Sequence, residues 1–384
     1  MNKPEVVMIG LGYIGLPTAA LIAQNKTHVY GVDINPKVVE TINAGRIHIV
    51  EPELDTAVAN AVKEGYLKAA TTPIEANTYL IVVPTPFKGK NEPDISFVEA
   101  ATKAILPFLK AEDLYIIEST SPIGTTEKMM ALIFNERPEL EGNLYIAYCP
   151  ERVLPGNVMY ELVHNDRVIK GDLHKTNART AEMCKLVENS SRDVQIAFAN
   201  ELSFICDKAD INVWELIALA NKHPRVNILQ PGCGVGGHCI AVDPYFIVSD
   251  YPMESQIIGK AREINNYKSF WCAEKVQTAK LQFELKHGRK PGIALMGLAF
   301  KPNIDDLRES PAKYIAQKVL QNANNEEYYI VEPNIDDHKV FKLTNYKEAA
   351  DKADIIVYLV AHKEFYTLTL SEEKVVLDFC GVLK

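Results

Sequence analysis

The stretch Val6-Val7-Met8-Ile9-Gly10-Leu11-Gly12-Tyr13-Ile14-Gly15 decides how this chain is read. Four apolar residues run directly into a Gly-x-Gly-x-x-Gly turn, and the residues that follow from Gly15 to Gln24 carry a helical pattern. That order has a mechanism. Gly10 permits the tight turn, Gly12 lets a pyrophosphate approach the backbone, and Gly15 lets helix and strand pack closely with the helix N-terminus facing the anion. Asp33 closes a second expected strand, eighteen residues past Gly15. A carboxylate there accepts hydrogen bonds from a ribose 2′-hydroxyl and repels a 2′-phosphate, so NAD is favoured over NADP. A glycine triplet by itself also fits a purely structural turn; its place between a strand and a helix, ahead of a second strand ending in Asp, makes it a dinucleotide fingerprint.

Working outward, Val6–Ile9, 28–33, 78–83, 113–118 and 144–148 read as buried strands rich in Val, Ile and Tyr. Helical patterns fall between them, as at Gly15–Gln24, 36–44 and 96–110. Strands spaced by helices imply right-handed crossovers and a parallel, doubly wound sheet. From about residue 178 the strand signals nearly vanish, and two helix-rich stretches, 179–221 and 255–286, flank a Gly-rich loop at 230–244. Long amphipathic helices predict a helical core that also offers a dimer surface. Beyond Pro291 alternation returns, with strands expected at 292–300, 327–332, 354–361 and 374–379. The fold expected is therefore α/β, with two doubly wound, Rossmann-like parallel-sheet domains (1–178 and 291–384) joined by a helical central region (179–290).

At 384 residues the chain is long enough for two or three domains. Its net charge of −9 argues against a nucleic-acid binder, which needs a basic face. Seven cysteines with no Cys-x-x-Cys pair exclude a disulfide framework and give no zinc cluster. No apolar run reaches the eighteen or so residues of a membrane span, and the N-terminus enters a strand pattern directly, so the expected compartment is the cytoplasm without membrane insertion.

The loop Gln230-Pro-Gly-Cys-Gly-Val-Gly-Gly-His-Cys239-Ile-Ala-Val-Asp243-Pro places four glycines within six residues, from Gly232 to Gly237. Such a run fits neither helix nor strand, because its conformational entropy cost is too high. Its backbone is expected to come close to a partner, read here as a phosphate-bearing ligand. A cysteine after such a loop is either an exposed nucleophile activated by nearby positive charge or a small buried residue. Cys233 and His238 lack a second pair at metal-ligand spacing, so no metal is expected.

With Cys239 set in Gly-Gly-His-Cys-Ile-Ala-Val-Asp, the chain resembles the UDP-glucose/GDP-mannose dehydrogenase family. The likeness extends through Gly10–Gly15, Glu118-Ser-Thr-Ser-Pro-Ile-Gly-Thr125, Cys149-Pro-Glu-Arg-Val-Leu-Pro-Gly156, Lys185-Leu-Val-Glu-Asn189 and Lys301-Pro-Asn-Ile-Asp-Asp-Leu-Arg308. It covers nearly the whole chain in order. The cysteine-proline motif, His223-Pro-Arg225-Val-Asn and the Ala-Val-Asp-Pro ending look like the branch acting on UDP-N-acetylmannosamine, and Val242 stands where the UDP-glucose branch carries a Lys.

The resemblance implies a four-electron oxidation of a sugar's primary alcohol to a carboxylate with two NAD reduced, Cys239 holding the intermediate as a thioester. It implies Lys185 as the catalytic lysine, with Asn189 one helical turn on sharing the oxyanion. Without it, Lys185 would read as a solvated helix lysine. Glu151 matches the base proposed for thioester hydrolysis, its alternative being a loop carboxylate in water. Asp243 either supports water or Lys185, or caps the following turn. Thr120, at a strand end, is a nicotinamide or water contact. For the sugar nucleotide the resemblance carries over Arg152, Val153, Lys185, Asn189, Arg192, His223, Arg225, Gly236, Phe300 and Lys301, with Arg225 reaching across a homodimer. Tyr13, Ile14, Thr85, Thr126 and Arg308 join Gly10, Gly12, Gly15 and Asp33 as cofactor contacts; the alternative for Arg308 is a surface ion pair.

One departure stands out. Near 171–177 the chain is about twenty residues shorter than its relatives, roughly a helix plus a strand. The competing functions are a 6-dehydrogenase for UDP-N-acetylglucosamine or UDP-glucose and, from another class, a non-catalytic NAD or sugar-nucleotide sensor. Retention of Cys239, Lys185, Asn189 and Glu151 together speaks against the sensor.

Overall fold

The computed structural model describes residues 4–89, 92–151, 153, 156–164, 176–237 and 239–383. Contacts divide the chain into two units, Met1–Glu188 and Asn189–Lys384. In the first, β1 (Val6–Ile9), α1 (Gly15–Gln24), β2 (Val29–Val32), α2 (Pro36–Asn43), α3 (Leu54–Lys63), β3 (Leu67–Ala70) and β4 (Thr78–Ile81) follow in order. A two-residue hairpin, β5 (Phe87–Lys88) and β6 (Glu92–Pro93), then leads to α4 (Ser96–Ile105), β7 (Leu114–Ile117), α5 (Thr125–Glu136), β8 (Tyr145–Tyr148), α6 (Val158–His164) and the start of α7 (Ala178–Ala209).

Six parallel strands form one sheet in the order β3-β2-β1-β4-β7-β8, which is the doubly wound dinucleotide-binding order. All four residues of β1 are buried. Val6 and Met8 pack into a cluster with Leu16, Ala20, Leu54 and Val58, while Val7 and Ile9 face a second with Tyr79, Val98, Ile105 and Ile133. Helices thus cover both faces, which is why the central strands read as unbroken apolar runs.

Strand β3 escaped the sequence reading. Its residues, Leu-Lys-Ala-Ala, include no β-branched side chain, and only Leu67 and Ala69 are buried; pairing with β2 rather than propensity makes it a strand. The helix expected over 96–110 stops at Ile105, with a 3₁₀ turn at Leu106–Phe108. Pro107 is the cause, since it removes an amide and disfavours helix at the residue before it.

The second unit takes the rest of α7, then α8 (Val213–Ala220), α9 (Asp243–Asp250), α10 (Gln256–His287), β9 (Gly292–Met296), α11 (Pro311–Gln321), β10 (Glu327–Val331), α12 (Tyr346–Lys352), β11 (Ile355–Tyr358) and β12 (Val375–Asp378). Its four strands are parallel in the order β10-β9-β11-β12. Strands β9 and β11 end earlier than the apolar runs suggested; Gly297, at φ +100°, turns the chain after β9. The molecule is thus an α/β protein with two doubly wound parallel sheets and long central helices.

Helix α10 departs from a simple amphipathic pattern. Its buried face carries Arg262, Asn265, Lys268 and Lys280 among the apolar residues, so an apolar-only reading blurs it. Lys280 lies 3.3 Å from Glu326, just before β10. Burial raises the Glu326 carboxyl, but hydrogen bonds from the Asn324 amide and its own amide, with Lys290 and Lys280, outweigh this and hold it at about 2. A depressed carboxylate contributes stability above its unfolded value near 4.3 and loses it as pH falls towards 2. Glu326→Gln is therefore expected to cost about 2–3 kcal/mol at pH 7. In urea unfolding the gap to the parent should close as pH drops from 4; a gap independent of pH would refute the assignment.

Candidate active site

The three glycines after β1 divide their work as the sequence suggested. A Cβ at Gly10, where φ is +99°, would sit 2.2 Å from the Val82 carbonyl oxygen, and one at Gly15 would sit 2.0 Å from the Gly10 carbonyl oxygen. Those two are demanded by the protein itself. At Gly12 nothing lies within 4 Å of the Cβ position, so no protein atom requires glycine there, which fits close approach of a ligand phosphate. Asp33, just past β2, accepts from the Leu11 amide at 3.2 Å and from the Asn35 amide at 2.9 Å. The carboxylate is thereby held beside the glycine turn.

At the carboxyl ends of β4 and β7, the Thr85 hydroxyl donates to the Thr120 carbonyl at 2.5 Å. Two of the expected cofactor-side residues are thus joined. Thr126 is otherwise engaged: its hydroxyl and amide donate to Glu182 Oε1 at 2.7 and 2.8 Å, while the Gly124 amide donates to Oε2 at 2.5 Å. Glu182, fully buried on α7, caps α5 with a charge that suits a helix N-terminus. Sequence reasoning missed it because an acidic residue inside a helix ordinarily reads as a solvated one.

Lys185 and Glu151 are each 5% exposed, with Nζ 3.8 Å from Oε1. Glu151 Oε2 also accepts from the Val153 amide at 2.5 Å. The alternative weighed for Glu151, a loop carboxylate in open water, is therefore excluded: the group is buried and paired. Glu51, a second residue the sequence did not flag, accepts from the amides of Gly156 and Val158 at 2.8 and 2.6 Å and so ties down the segment that follows. Arg152 and the shortening near 171–177 lie outside the described residues, apart from 176 and 177.

In the second unit three glycines of the Cys239 loop, Gly234, Gly236 and Gly237, press against protein, whereas Gly232 has nothing within 4 Å of its Cβ position. A Cβ at Gly236 would lie 2.6 Å from the Glu309 carbonyl oxygen and 2.7 Å from Phe300 Cβ; one at Gly237, with φ +83°, would lie 2.9 Å from the Phe300 ring. Gly234 is similarly closed in by Ser269 and Asn265 of α10. Protein neighbours thus account for the lack of a Cβ at these three. The loop is also pinned by hydrogen bonds: the Gly232 amide to Asn200 at 2.9 Å, Ser269 to the Cys233 carbonyl at 2.8 Å, and the Gly237 amide to the Arg308 carbonyl at 3.2 Å. Asn200 is in turn held by Asn265 at 2.9 Å, and Asn265 bonds Asp193 at 2.8 Å. These polar residues inside α7 and α10 carry no local sequence signal of that role; packing makes them loop anchors.

Cys239 itself is half-buried and forms no disulfide. Its carbonyl accepts the amides of Val242 and Asp243 at 3.0 and 2.8 Å, a tight turn that opens α9. Asp243, first in that helix and 3% exposed, accepts from Asn189 Nδ2 at 2.5 Å. Cys233 is a different kind of thiol. Hydrogen bonding with Cys272 and burial push it well above the ordinary range, and it donates to the Leu359 carbonyl at 3.2 Å. Among the described residues no His, Cys, Asp and Glu group fits a metal.

Models of three domains match successive parts of the chain: the UDP-glucose/GDP-mannose dehydrogenase family NAD binding domain over residues 4–188, its central domain over 179–267 and its UDP binding domain over 294–384. The chain belongs to the UDP-glucose/GDP-mannose dehydrogenase family. It is 51% identical, over the whole of both chains, to a UDP-N-acetyl-D-mannosamine dehydrogenase of Escherichia coli. To the enzyme of that name from Campylobacter jejuni it is 52% identical over 98% of this chain and 99% of the other. A solved UDP-D-ManNAc dehydrogenase from Pyrococcus horikoshii superposes with a TM-score of 0.90 at 36% identity, covering 99% and 96%.

Membership makes this chain an NAD-dependent nucleotide-sugar dehydrogenase, and the Gly10–Gly15 turn with Asp33 fits the NAD that its N-terminal domain binds. The remaining family positions are scattered by environment. Tyr13 and Ile14 are partly buried within the glycine turn, and Val153 is buried. Arg192, His223 and Arg225 are exposed, the Arg225 amide donating to His223 Nδ1 at 3.3 Å. Phe300, beside Gly236, and Lys301 are partly buried in the same unit. Arg308 grips Asp306, with Nη2 2.6 Å from Oδ2, so the local ion pair weighed as its alternative is present.

Proposed function

We propose that this chain oxidises the primary alcohol of UDP-N-acetylmannosamine to the uronic acid through a thioester on Cys239. Full-length identity of about half to curated relatives named for that substrate carries the reading. NAD, when bound, supplies the acceptor for the two hydrides that leave the sugar carbon. The Cys239 thiolate adds to the aldehyde carbonyl and holds it as a hemithioacetal, so the half-oxidised sugar stays on the enzyme. Once the thioester has formed, water attacks its carbonyl carbon, the C–S bond breaks and the thiolate is regenerated, leaving the carboxylate.

Lys185 steadies the oxyanion of each tetrahedral species, as an ammonium in a water-poor site does most effectively. Glu151 takes the proton of the attacking water. Asn189, whose amide nitrogen gives one of its two protons to Asp243 at the start of α9, has the second for the oxyanion, and Thr120 contacts nicotinamide or a water. Arg152, Arg192, His223, Arg225, Gly236, Phe300 and Lys301 hold the sugar nucleotide, guanidinium groups suiting its diphosphate.

A homodimer through the central helices is part of this proposal. Phe198, Ile205, Leu219, Tyr267 and Phe270 are exposed on α7, α8 and α10, and covering them with a second copy would remove that apolar area from water. No helix among the described residues is long and apolar enough to cross a membrane; we place the enzyme in the cytoplasm, supplying a uronic acid for polysaccharide assembly. Purified protein assayed against UDP-N-acetylmannosamine, UDP-N-acetylglucosamine and UDP-glucose should release two NADH per sugar, fastest with the first. One NADH per sugar sinks the thioester, binding without turnover favours a sensor, and a different best substrate reassigns the specificity.

A further inference from the structure

The two sheets repeat one device with different outcomes. In each, the first strand ends on a glycine that no other residue can replace: Gly10 at φ +99°, and Gly297 at φ +100°, where a Cβ would lie 2.6 Å from the Val360 side chain. In each, the second strand is followed by a carboxylate that reaches back to the amides after that glycine. Asp33 accepts from Leu11 at 3.2 Å; Glu332 accepts from Leu298 and Ala299 at 2.8 and 2.9 Å.

There the likeness stops. Asp33 is only partly buried, whereas the Glu332 side chain is fully buried against an equally buried His362. His362 Nε2 lies 3.1 Å from Glu332 Oε2, and the Asn334 amide and side chain both donate to Oε1 at 3.1 Å. Burial raises the Glu332 carboxyl, but the hydrogen bonds from His362, Leu298 and Asn334 outweigh it and hold it below the ordinary range. The Asn303 amide donates to His362 Nδ1 at 3.0 Å. A backbone N–H can only donate, so Nδ1 is the acceptor and the ring proton sits on Nε2, facing Glu332. Asn303 has φ +61°, a conformation its short amide tolerates, and its Oδ1 accepts the Lys363 amide at 3.0 Å.

Asn303 closes the segment Phe300-Lys301-Pro302-Asn303, and Phe300 is the wall on which Gly236 and Gly237 rest. That segment is held at Ala299 by Glu332, at Asn303 by His362 and at Phe300 by the Asp306 carbonyl, 3.1 Å away. We propose that Glu332 and His362 form a positioning pair: the carboxylate that meets a ribose in a dinucleotide-binding sheet is turned inward here to fix residues 300–303 and, through Phe300, the loop carrying Cys239. The second sheet accordingly takes no dinucleotide of its own. This rests on the reading of Phe300 and Lys301 as sugar-nucleotide contacts.

Three variants of the full-length protein test it. His362→Ala removes the bonds to Glu332, Asn303 and Asn334, His362→Gln keeps a donor for Glu332, and His362→Asn keeps an acceptor for Asn303. Hydrogen exchange, which needs no substrate, should quicken about tenfold at 298–310 and 232–237 in the Ala and Gln variants, with β9 and β11 changing less than about twofold. The KM for UDP-N-acetylmannosamine should rise about tenfold in the same two while the KM for NAD stays within about twofold, and His362→Asn, which keeps the Asn303 bond but not the Glu332 bond, should show a smaller rise, about threefold. Should the Ala variant fail to fold, the contrast between Gln and Asn decides. Unchanged exchange at 298–310, equal behaviour of Gln and Asn, or parallel shifts in both KM values would overturn the pair. A parent enzyme that oxidises no UDP-sugar would instead sink the proposed function, and exchange would still judge this inference.

Discussion

Cys239→Ala is expected to cut uronic acid formation from the UDP-sugar by on the order of 10³-fold or more, as loss of a covalent nucleophile does elsewhere. NAD affinity should stay within about twofold, because the glycine turn and Asp33 belong to the other unit. Stability should change little as well: Cys239 is only half-buried, and its carbonyl, which closes the turn into α9, is untouched by the substitution. Slow release of aldehyde would fit this picture, since the first oxidation does not need the thiolate. Quenched reactions analysed for aldehyde, acid and NADH separate the two steps. Acid formation at the parent rate would remove Cys239 from the mechanism.

The second large effect is expected at Lys185. Replacing it with Met deletes the ammonium 3.8 Å from the buried Glu151 carboxylate. Breaking a buried ion pair from one side leaves an uncompensated charge, at a cost of about 3–5 kcal/mol. If Lys185 also steadies an oxyanion, kcat should fall by on the order of 10²–10³-fold. Stability and catalysis are separable by a second change. Lys185→Met with Glu151→Gln should recover most of the lost melting temperature and none of the activity. A double variant regaining both, or a single variant keeping kcat within about tenfold, would reduce the pair to a structural role.

Much of this architecture could be read from residue order. The Val6–Gly15 stretch needed only strand propensity, the conformational freedom of Gly10 and a helix after Gly15 to announce a dinucleotide fold, and the strand order agrees. The glycine-rich setting alone left Cys239 between a nucleophile and a small buried residue, and Lys185 alone read as a solvated helix lysine; only the family motifs single them out, with Asn189, as candidates. Local chemistry of this kind survives translation into structure because it depends on neighbours in the chain.

Other features depended on partners far away in sequence. Leu67–Ala70 becomes a strand only because β2 offers it an edge. Glu182, Glu51, Asn200 and Asn265 are polar residues whose roles arise from backbone amides 32 to 107 positions distant, or from one another. Gly234, Gly236 and Gly237 of the Cys239 loop mark a close approach, as their run suggested, and the protein atoms they approach belong to Phe300, residues 309–311 and α10. By itself, then, the sequence determined the fold class, the NAD fingerprint and the family, through backbone freedom and side-chain type at fixed spacing. Tertiary structure alone decided what those residues lean on, because burial turns a solvated carboxylate or amide into one that must find a hydrogen-bond partner wherever the fold supplies it.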